Sequence, residues 1–356
     1  MKVYECIIFW HGFPACGHML KDISRRLGSN LKVYATKPAV PFTGIGGFLA
    51  NKIEYLEEPE DLWSHIEQIR RSRIFIHTGW GFQAINNIDA FLHGLNKRPK
   101  IYVLVDNRLK YSFRQVVGAI YYRFKLRHLY DGAIVAGTSS AKLMKFLGES
   151  HTRIASGHYG ASSDLYPRWD GGVAKQKCFV FIGSLDKRKG IDLLAAAWKN
   201  YKENGGTWSL KVYGSGPLAS IFDKLPGVTC HGFSQPSVIS RALLESFAFI
   251  LPSRDDNWGT VVAEAAASGC ALISTRKAGA TEDFIIHRKN GFIVPSLTSK
   301  GIYEAINSMV ALPDDELISM CKNSVEVSRK FDSTRFTAAL ERLIGTRLCA
   351  VQNQLS

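Results

Sequence analysis

The chain has seven cysteines, Cys6, Cys16, Cys178, Cys230, Cys270, Cys321 and Cys349, but no Cys-x-x-Cys pair among them. An odd count without paired spacing argues against a disulfide framework and for free buried thiols in a reducing cytoplasm. No run of about eighteen apolar residues occurs, which excludes an integral helical membrane protein. The opening MKVYECIIFW is too short and too polar for a signal peptide or a span. There is no Asp-x-Asp, so no evident cage for Mg²⁺ on a diphosphate. Zinc-ligand spacing and RNA-binding signatures are missing as well. A formal charge of +14 invites anionic partners. Those absences make nucleic acid the weakest of them, behind a lipid surface and phosphorylated substrates. Acid is missing locally too. From Arg108 to Arg127 the chain carries Arg108, Lys110, Arg114, Arg123, Lys125 and Arg127 and no carboxylate. Phe113, Val116, Val117, Ile120, Tyr121 and Phe124 interleave with these cations at near-helical spacing. That pattern fits either a basic amphipathic helix on an anionic membrane or a core-packed helix with a solvated face.

What is present is ordinary globular chain. Its 356 residues, 46% hydrophobic and 21% charged, suffice for two domains with cores of their own. The first half alternates strand and helix signals, with strands over Tyr4–Trp10, Leu31–Ala35, Arg73–His77, Ile101–Val105 and Gly132–Ala136. Such βα repeats predict an α/β fold with a doubly wound parallel sheet, whose ligands bind at the carboxyl ends of the strands. The loops placed there are His11–Gly17, His77–Gly81, Asp106–Arg108 and Ala136–Ser140. A flexible glycine loop is expected at Gly44–Gly47. An irregular Gly/Ser/Pro stretch, His158–Lys177, marks the boundary. Alternation then restarts with strands over Cys178–Ile182, Trp208–Tyr213 and Val228–His231. The domains expected are 1–165, 166–335 and a closing helix and tail over 336–356.

The densest information lies in Leu251–Asp283. The run Ala248–Leu251 reads as a buried strand, Asp255, Asp256 and Asn257 as turn formers, and Gly259 as the opening of a small-residue helix over Thr260–Ser268. Gly269 closes that helix and Ala271–Thr275 is the next strand. A strand, a glycine turn and a helix N-terminus make an anion site from backbone donors. Three carboxylates, Asp256, Glu264 and Glu282, surround it. Phosphate donors beside carboxylates for hydroxyls suit a nucleotide sugar. Upstream, Lys187, Arg188 and Lys189 crowd a helix start, where the macrodipole disfavours cations unless an anion binds.

Asp256 and Glu264 are separated by seven residues. With the aromatic-Gly pair Trp258-Gly259 and the Glu-Ala of the helix, the segment resembles the Glu-x7-Glu region of family 4 glycosyltransferases. These are retaining enzymes of the GT-B fold, in which two Rossmann-like domains face a central cleft. The first position here is Asp256 rather than the usual Glu. Gly183 to Gly190 is similar to the family's Gly-Arg-Leu and Lys-Gly pattern. Lys189 matches the diphosphate-binding lysine, Ser184 stands at the usual arginine, and Arg188 is the candidate replacement. Gly214 and Gly216 match a glycine turn near the nucleotide base. Gly279-Ala280-Thr281-Glu282 resembles the family's Gly-Gly-x-x-Glu turn.

The resemblance implies that Glu264 holds the ribose and Asp256 the donor sugar. It places Gly12, Gly17, Gly259, Thr260 and Glu282 about the donor. On the acceptor side Asp106 and His77 are the candidate catalytic groups, each ending a strand. The implied activity is transfer, with retention, from a nucleoside diphosphate sugar to a glycan or lipid-linked acceptor, without metal or resident cofactor. Bacterial O-antigen, lipopolysaccharide or capsule is the implied setting, in the cytoplasm or peripherally at the inner membrane face. Two rival readings are an NAD-dependent dehydrogenase with paired Rossmann domains and a non-catalytic nucleotide-sugar-binding protein.

Overall fold

A computed structural model describes residues 2–12, 15–38, 47–49 and 52–348. The expected loop at Gly44–Gly47 falls outside these apart from Gly47, and so do the last residues of the expected tail. The chain forms two compact units, Met1–Tyr159 with Ser333–Ser356, and Gly160–Asp332. The division comes earlier than the sequence suggests. The closing segment is also no separate piece. Its helix, Thr334–Ile344, joins the first unit, where Phe336 and Leu340 are fully buried in the core.

In the first unit seven strands run in parallel: β1 (Cys6–Trp10), β2 (Leu31–Thr36), β3 (Ile53–Leu56), β4 (Ile74–Thr78), β5 (Lys100–Val105), β6 (Gly132–Val135) and β7 (Ile154–Ser156). Their order is β3-β2-β1-β4-β5-β6-β7. Side chains alternate between two cores, as the period of two in a strand requires. Ile7, Phe9, Phe75, Val103 and Val105 face one core, and Cys6, Ile8, Trp10, Ile76 and Leu104 the other. Covering both faces is what a parallel sheet needs, and it explains why β1 reads as an unbroken apolar run. β3 and β7 escape sequence reading because they are four and three residues long.

The second unit holds β8 (Gln176–Ile182), β9 (Ser209–Tyr213), β10 (Val228–Gly232), β11 (Ser246–Leu251), β12 (Ala271–Ser274) and β13 (Gly291–Ile293). Their order is β10-β9-β8-β11-β12-β13, again all parallel. Strand order reverses between β8 and β11 here, and between β1 and β4 in the first unit. Loops leaving the two strands on either side of such a switch diverge to opposite faces and leave a crevice. Of the five cysteines described, all are free; four are buried as expected, but Cys230 is exposed. Among the described residues no helix is long and apolar enough to cross a membrane.

Candidate active site

At the β8/β11 switch the sequence brings two loops into contact through glycines. Gly190 has φ 74°, and a Cβ there would lie 2.1 Å from the Pro252 carbonyl oxygen. Only glycine lets the turn after β8 press on the loop after β11. That contact carries Lys189 to Asp256, and the ammonium and carboxylate form a close ion pair. Each side chain is 12% exposed. The lysine stem lies along Gly183, where a Cβ would be 3.6 Å from its Cε.

The cationic turn Lys187–Lys189 has a local support that the sequence reading missed. Asp186 caps it, accepting from the Lys189 backbone N–H at 2.9 Å and from the Ser184 hydroxyl at 2.8 Å. Burial opposes ionisation of Asp186, but these bonds and the neighbouring cations outweigh it and hold the carboxyl below its ordinary value. The signal was available, since Asp is a favoured N-cap. Arg188 extends its guanidinium to the Ser184 hydroxyl at 3.3 Å and the Asp255 carbonyl at 3.3 Å. A guanidinium is thus present where Ser184 stands in place of an arginine. Arg254, also missed, ties the same loops together through a two-pronged bond to Asp192 at 2.5 and 2.7 Å.

Asp256 is fixed from its own side as well. Its N–H donates to the Lys277 carbonyl at 3.0 Å, and its carbonyl accepts from Gly279 at 3.2 Å. Gly259, at φ 85°, starts the helix Thr260–Ala267 directly beside it, its Cβ position 3.3 Å from Asp256 Oδ2. Thr260 is half-buried at the first helical position. The helix is buried from Val262 to Ala267, which its small side chains permit. Within it Glu264 is only 8% exposed and pairs with the Tyr166 hydroxyl. Burial pushes its carboxyl up to about 7, against the pull of the Tyr166 bond. The same burial, with the Glu264 charge, pushes the Tyr166 phenol far up. Tyr166 lies in a stretch without regular structure, so no periodicity could have flagged it.

Gly214 and Gly216 are required by the packing of loops within the sheet. Cβ atoms there would lie 1.9 Å from the Gly183 carbonyl oxygen and 2.6 Å from that of Leu185. What approaches their backbone is the neighbouring loop of the same sheet. Glu282 is exposed, on a helix of four residues, Thr281–Phe284.

In the first unit the start of the β1 loop is tied to a neighbouring strand, His11 donating its N–H to the Thr78 hydroxyl at 2.9 Å. Gly12 has φ 59°, a Cβ there would meet none of the described residues within 4 Å, and its N–H donates to the Thr36 hydroxyl at 2.6 Å. Gly17 is buried in the short 3₁₀ helix Ala15–Leu20. Asp106, just past β5, is half-buried and accepts from the Tyr159 hydroxyl at 3.2 Å. Next to Tyr159, His158 stacks on its ring at 4.1 Å, and burial pushes that imidazole down to about 3.

His77 corrects an expectation. It is fully buried, with Nδ1 3.0 Å from the Gly79 carbonyl and Nε2 3.2 Å from Asp89 Oδ1, itself fully buried. Nδ1 is hydrogen-bonded and Nε2 only lies beside the Asp89 carboxylate, and neither nitrogen faces solvent. Asp89 comes from the helix Gln83–His93, which covers this strand end. Sealed there, His77 presents no ring edge to a substrate. A cavity of about 560 Å³ opens nearby, lined by Trp80, Leu104, Lys110, Arg114, Gln115 and Leu147 among others.

Comparison with known proteins bears on the fold and on part of the second unit. Residues 176–311 fit the family described as Glycosyl transferases group 1. The crystal structure of Anabaena Alr3699/HepE in complex with UDP-glucose superposes with a TM-score of 0.72 at 16% identity, over 96% of this chain and 99% of that one. The fold is GT-B, two Rossmann-like parallel-sheet domains. An uncharacterized 41.2 kDa protein in the cps region of Klebsiella pneumoniae is 22% identical over 67% of this chain and 62% of its own length. The putative colanic acid biosynthesis glycosyltransferase WcaL of Escherichia coli K12 is 26% identical over 41% of this chain and 39% of its own. The similarity therefore spans less than two thirds of these curated relatives.

Proposed function

We propose that the chain is a retaining glycosyltransferase of family 4 type, moving a sugar from a nucleoside diphosphate donor to a hydroxyl of a glycan or lipid-linked acceptor. The observation that carries this is the Lys189–Asp256 pair at the β8/β11 switch, beside the N-terminus of Thr260–Ala267. Group transfer breaks the bond from the anomeric carbon to the diphosphate, forms one to the acceptor oxygen on the same face, and passes the acceptor hydroxyl's proton to the departing diphosphate. Negative charge grows on the leaving diphosphate. Lys189, Arg188 and the helix N-terminus neutralise it without a metal or resident cofactor. Asp256 holds the lysine in place and, beside it, meets the sugar hydroxyls. Glu264 takes the ribose hydroxyls, with Tyr166 orienting it. Asp106, held by Tyr159, is the acceptor-side carboxylate.

The group 1 match and the UDP-glucose complex of HepE support a nucleotide sugar donor. The cps-region and colanic acid relatives support bacterial surface polysaccharide as the setting, and the cytoplasmic side of the membrane is the proposed place. The test is a thermal-shift panel of nucleoside diphosphate sugars, then turnover and proton NMR of the product anomer. A true donor at 100 times its Kd raises stability by about 2.7 kcal/mol. No shift with any sugar nucleotide would sink the reading. Shift without turnover would leave a binding protein, and an inverted anomer would remove retention.

A further inference from the structure

The acid-free segment folds as a helix, Phe113–Tyr121, continued by a π-helical turn, Tyr122–Leu126. Its inner face is complete. Ala119, Tyr122 and Leu126 are buried in the core, and the Tyr122 hydroxyl donates to Glu149 at 2.9 Å. Its outer face is the unusual one. Phe113, Val116, Val117, Ile120, Tyr121 and Phe124 recur at steps of one, three and four residues, and all are between 46% and 83% exposed. Tyr111, just before, is exposed too. A soluble surface rarely carries a continuous apolar stripe of this length without a partner.

Charge says which partner. Arg108 is buried, Arg123 donates to the Leu147 and Phe146 carbonyls, and Arg127 lies 3.7 Å from Glu149. These three serve the fold. Lys110, Arg114 and Lys125 are exposed along the apolar stripe, whereas the acid packed under the helix, Glu149, is buried. Aromatic and aliphatic residues flanked by outward cations fit an interface with apolar depth and anionic headgroups. We propose that this helix is a docking element that lies in the surface of an anionic phospholipid bilayer. The cavity lined by Lys110, Arg114 and Gln115 opens on the same helix, so docking would bring it to headgroup level.

The inference does not depend on sugar transfer, and its test does not read it. The purified full chain is co-sedimented with vesicles of phosphatidylcholine, with and without phosphatidylglycerol. Binding is expected only with the anionic lipid, and to fall at high salt. Phe113→Ser/Ile120→Ser/Phe124→Ser should lower the partition coefficient by on the order of 100-fold or more, since each ring or branched chain loses its burial. Arg114→Gln/Lys125→Gln should lower it roughly 25-fold, about fivefold per cation. All five positions are exposed, so unchanged melting and circular dichroism are expected and confirm folding. Equal binding to neutral and anionic vesicles overturns the proposal, as does full binding by the triple variant. Failure to bind any vesicle overturns it too, and a dimer in light scattering that the triple variant abolishes would assign the stripe to a second copy instead.

Discussion

The two units have the same sheet plan but use their switch points differently. In the second, the loops after β8 and β11 are locked by Gly190, Asp186 and Arg254, and the lock delivers Lys189 to Asp256. In the first, the glycine of the β1 loop has no described residue against it beyond its chain neighbours, and the strand-end histidine is sealed in the core. One edge is built tightly around fixed charge. The other leaves a cavity and an unpartnered helix face. A fixed anion site needs its cations held before the ligand arrives. A surface that meets variable or membrane-held partners needs room.

The largest expected effect tests the sealed histidine. His77→Ala empties a fully buried side-chain site beside Asp89, and a core truncation of that size costs about 2–5 kcal/mol. Chemical denaturation should show that loss, while kcat of the folded fraction stays near that of the parent. A selective fall in kcat would return His77 to the chemistry. Lys189→Ala should do the reverse. It should lower kcat by roughly 10²- to 10³-fold, the scale of one lost transition-state donor, with a smaller loss of stability because Asp256 keeps some access to water. Near-normal turnover would break the contrast between the two edges.

Glu264 sharpens the comparison through pH. Its folded value is about 7 against an ordinary 4.5, so the folded chain keeps a proton that the unfolded chain gives up. Stability is therefore full below about pH 4.5, falls as pH rises from 4.5 to 7, and is flat above. The fall amounts to about 3 kcal/mol. Glu264→Gln should abolish this slope, so that variant and parent differ most above about pH 7. If the carboxylate accepts ribose hydroxyls, nucleoside diphosphate binding near pH ~6 should also release a proton, seen by calorimetry in buffers of different ionisation enthalpy. Identical stability slopes in the parent and in Glu264→Gln would refute the burial account. The smallest effect belongs to Gly12→Ala. With no neighbour within 4 Å among the described residues, the left-handed backbone is the strain expected, about 1 kcal/mol. A much larger loss would mean that the β1 loop is as tightly built as its counterpart.

Much of this was legible before folding. The parallel α/β plan follows from βα alternation, and Lys189, Asp256 and Glu264 stand out by type and spacing. Tyr166 was not legible, because a residue in irregular chain has no period to read. What Gly214 and Gly216 press against was not legible for a related reason. Glycine marks a close approach to the backbone but does not say what approaches. The orientation of the helix at Phe113–Tyr121 was undecided in the sequence, since an apolar stripe at helical spacing reads the same whether it faces core or solvent.

By itself the sequence determined the elements, their alternation, and the chemical types gathered after β8 and β11, because these depend on neighbours within a few residues. Tertiary structure decided which groups meet. It paired Lys189 with Asp256 across 67 residues, buried His77 against Asp89, raised Glu264 beside Tyr166 and turned the apolar stripe outward. Each of those outcomes depends on burial and on contacts between distant segments. Both are set only when the sheet brings its strands into order, and neither leaves a local periodicity in the chain.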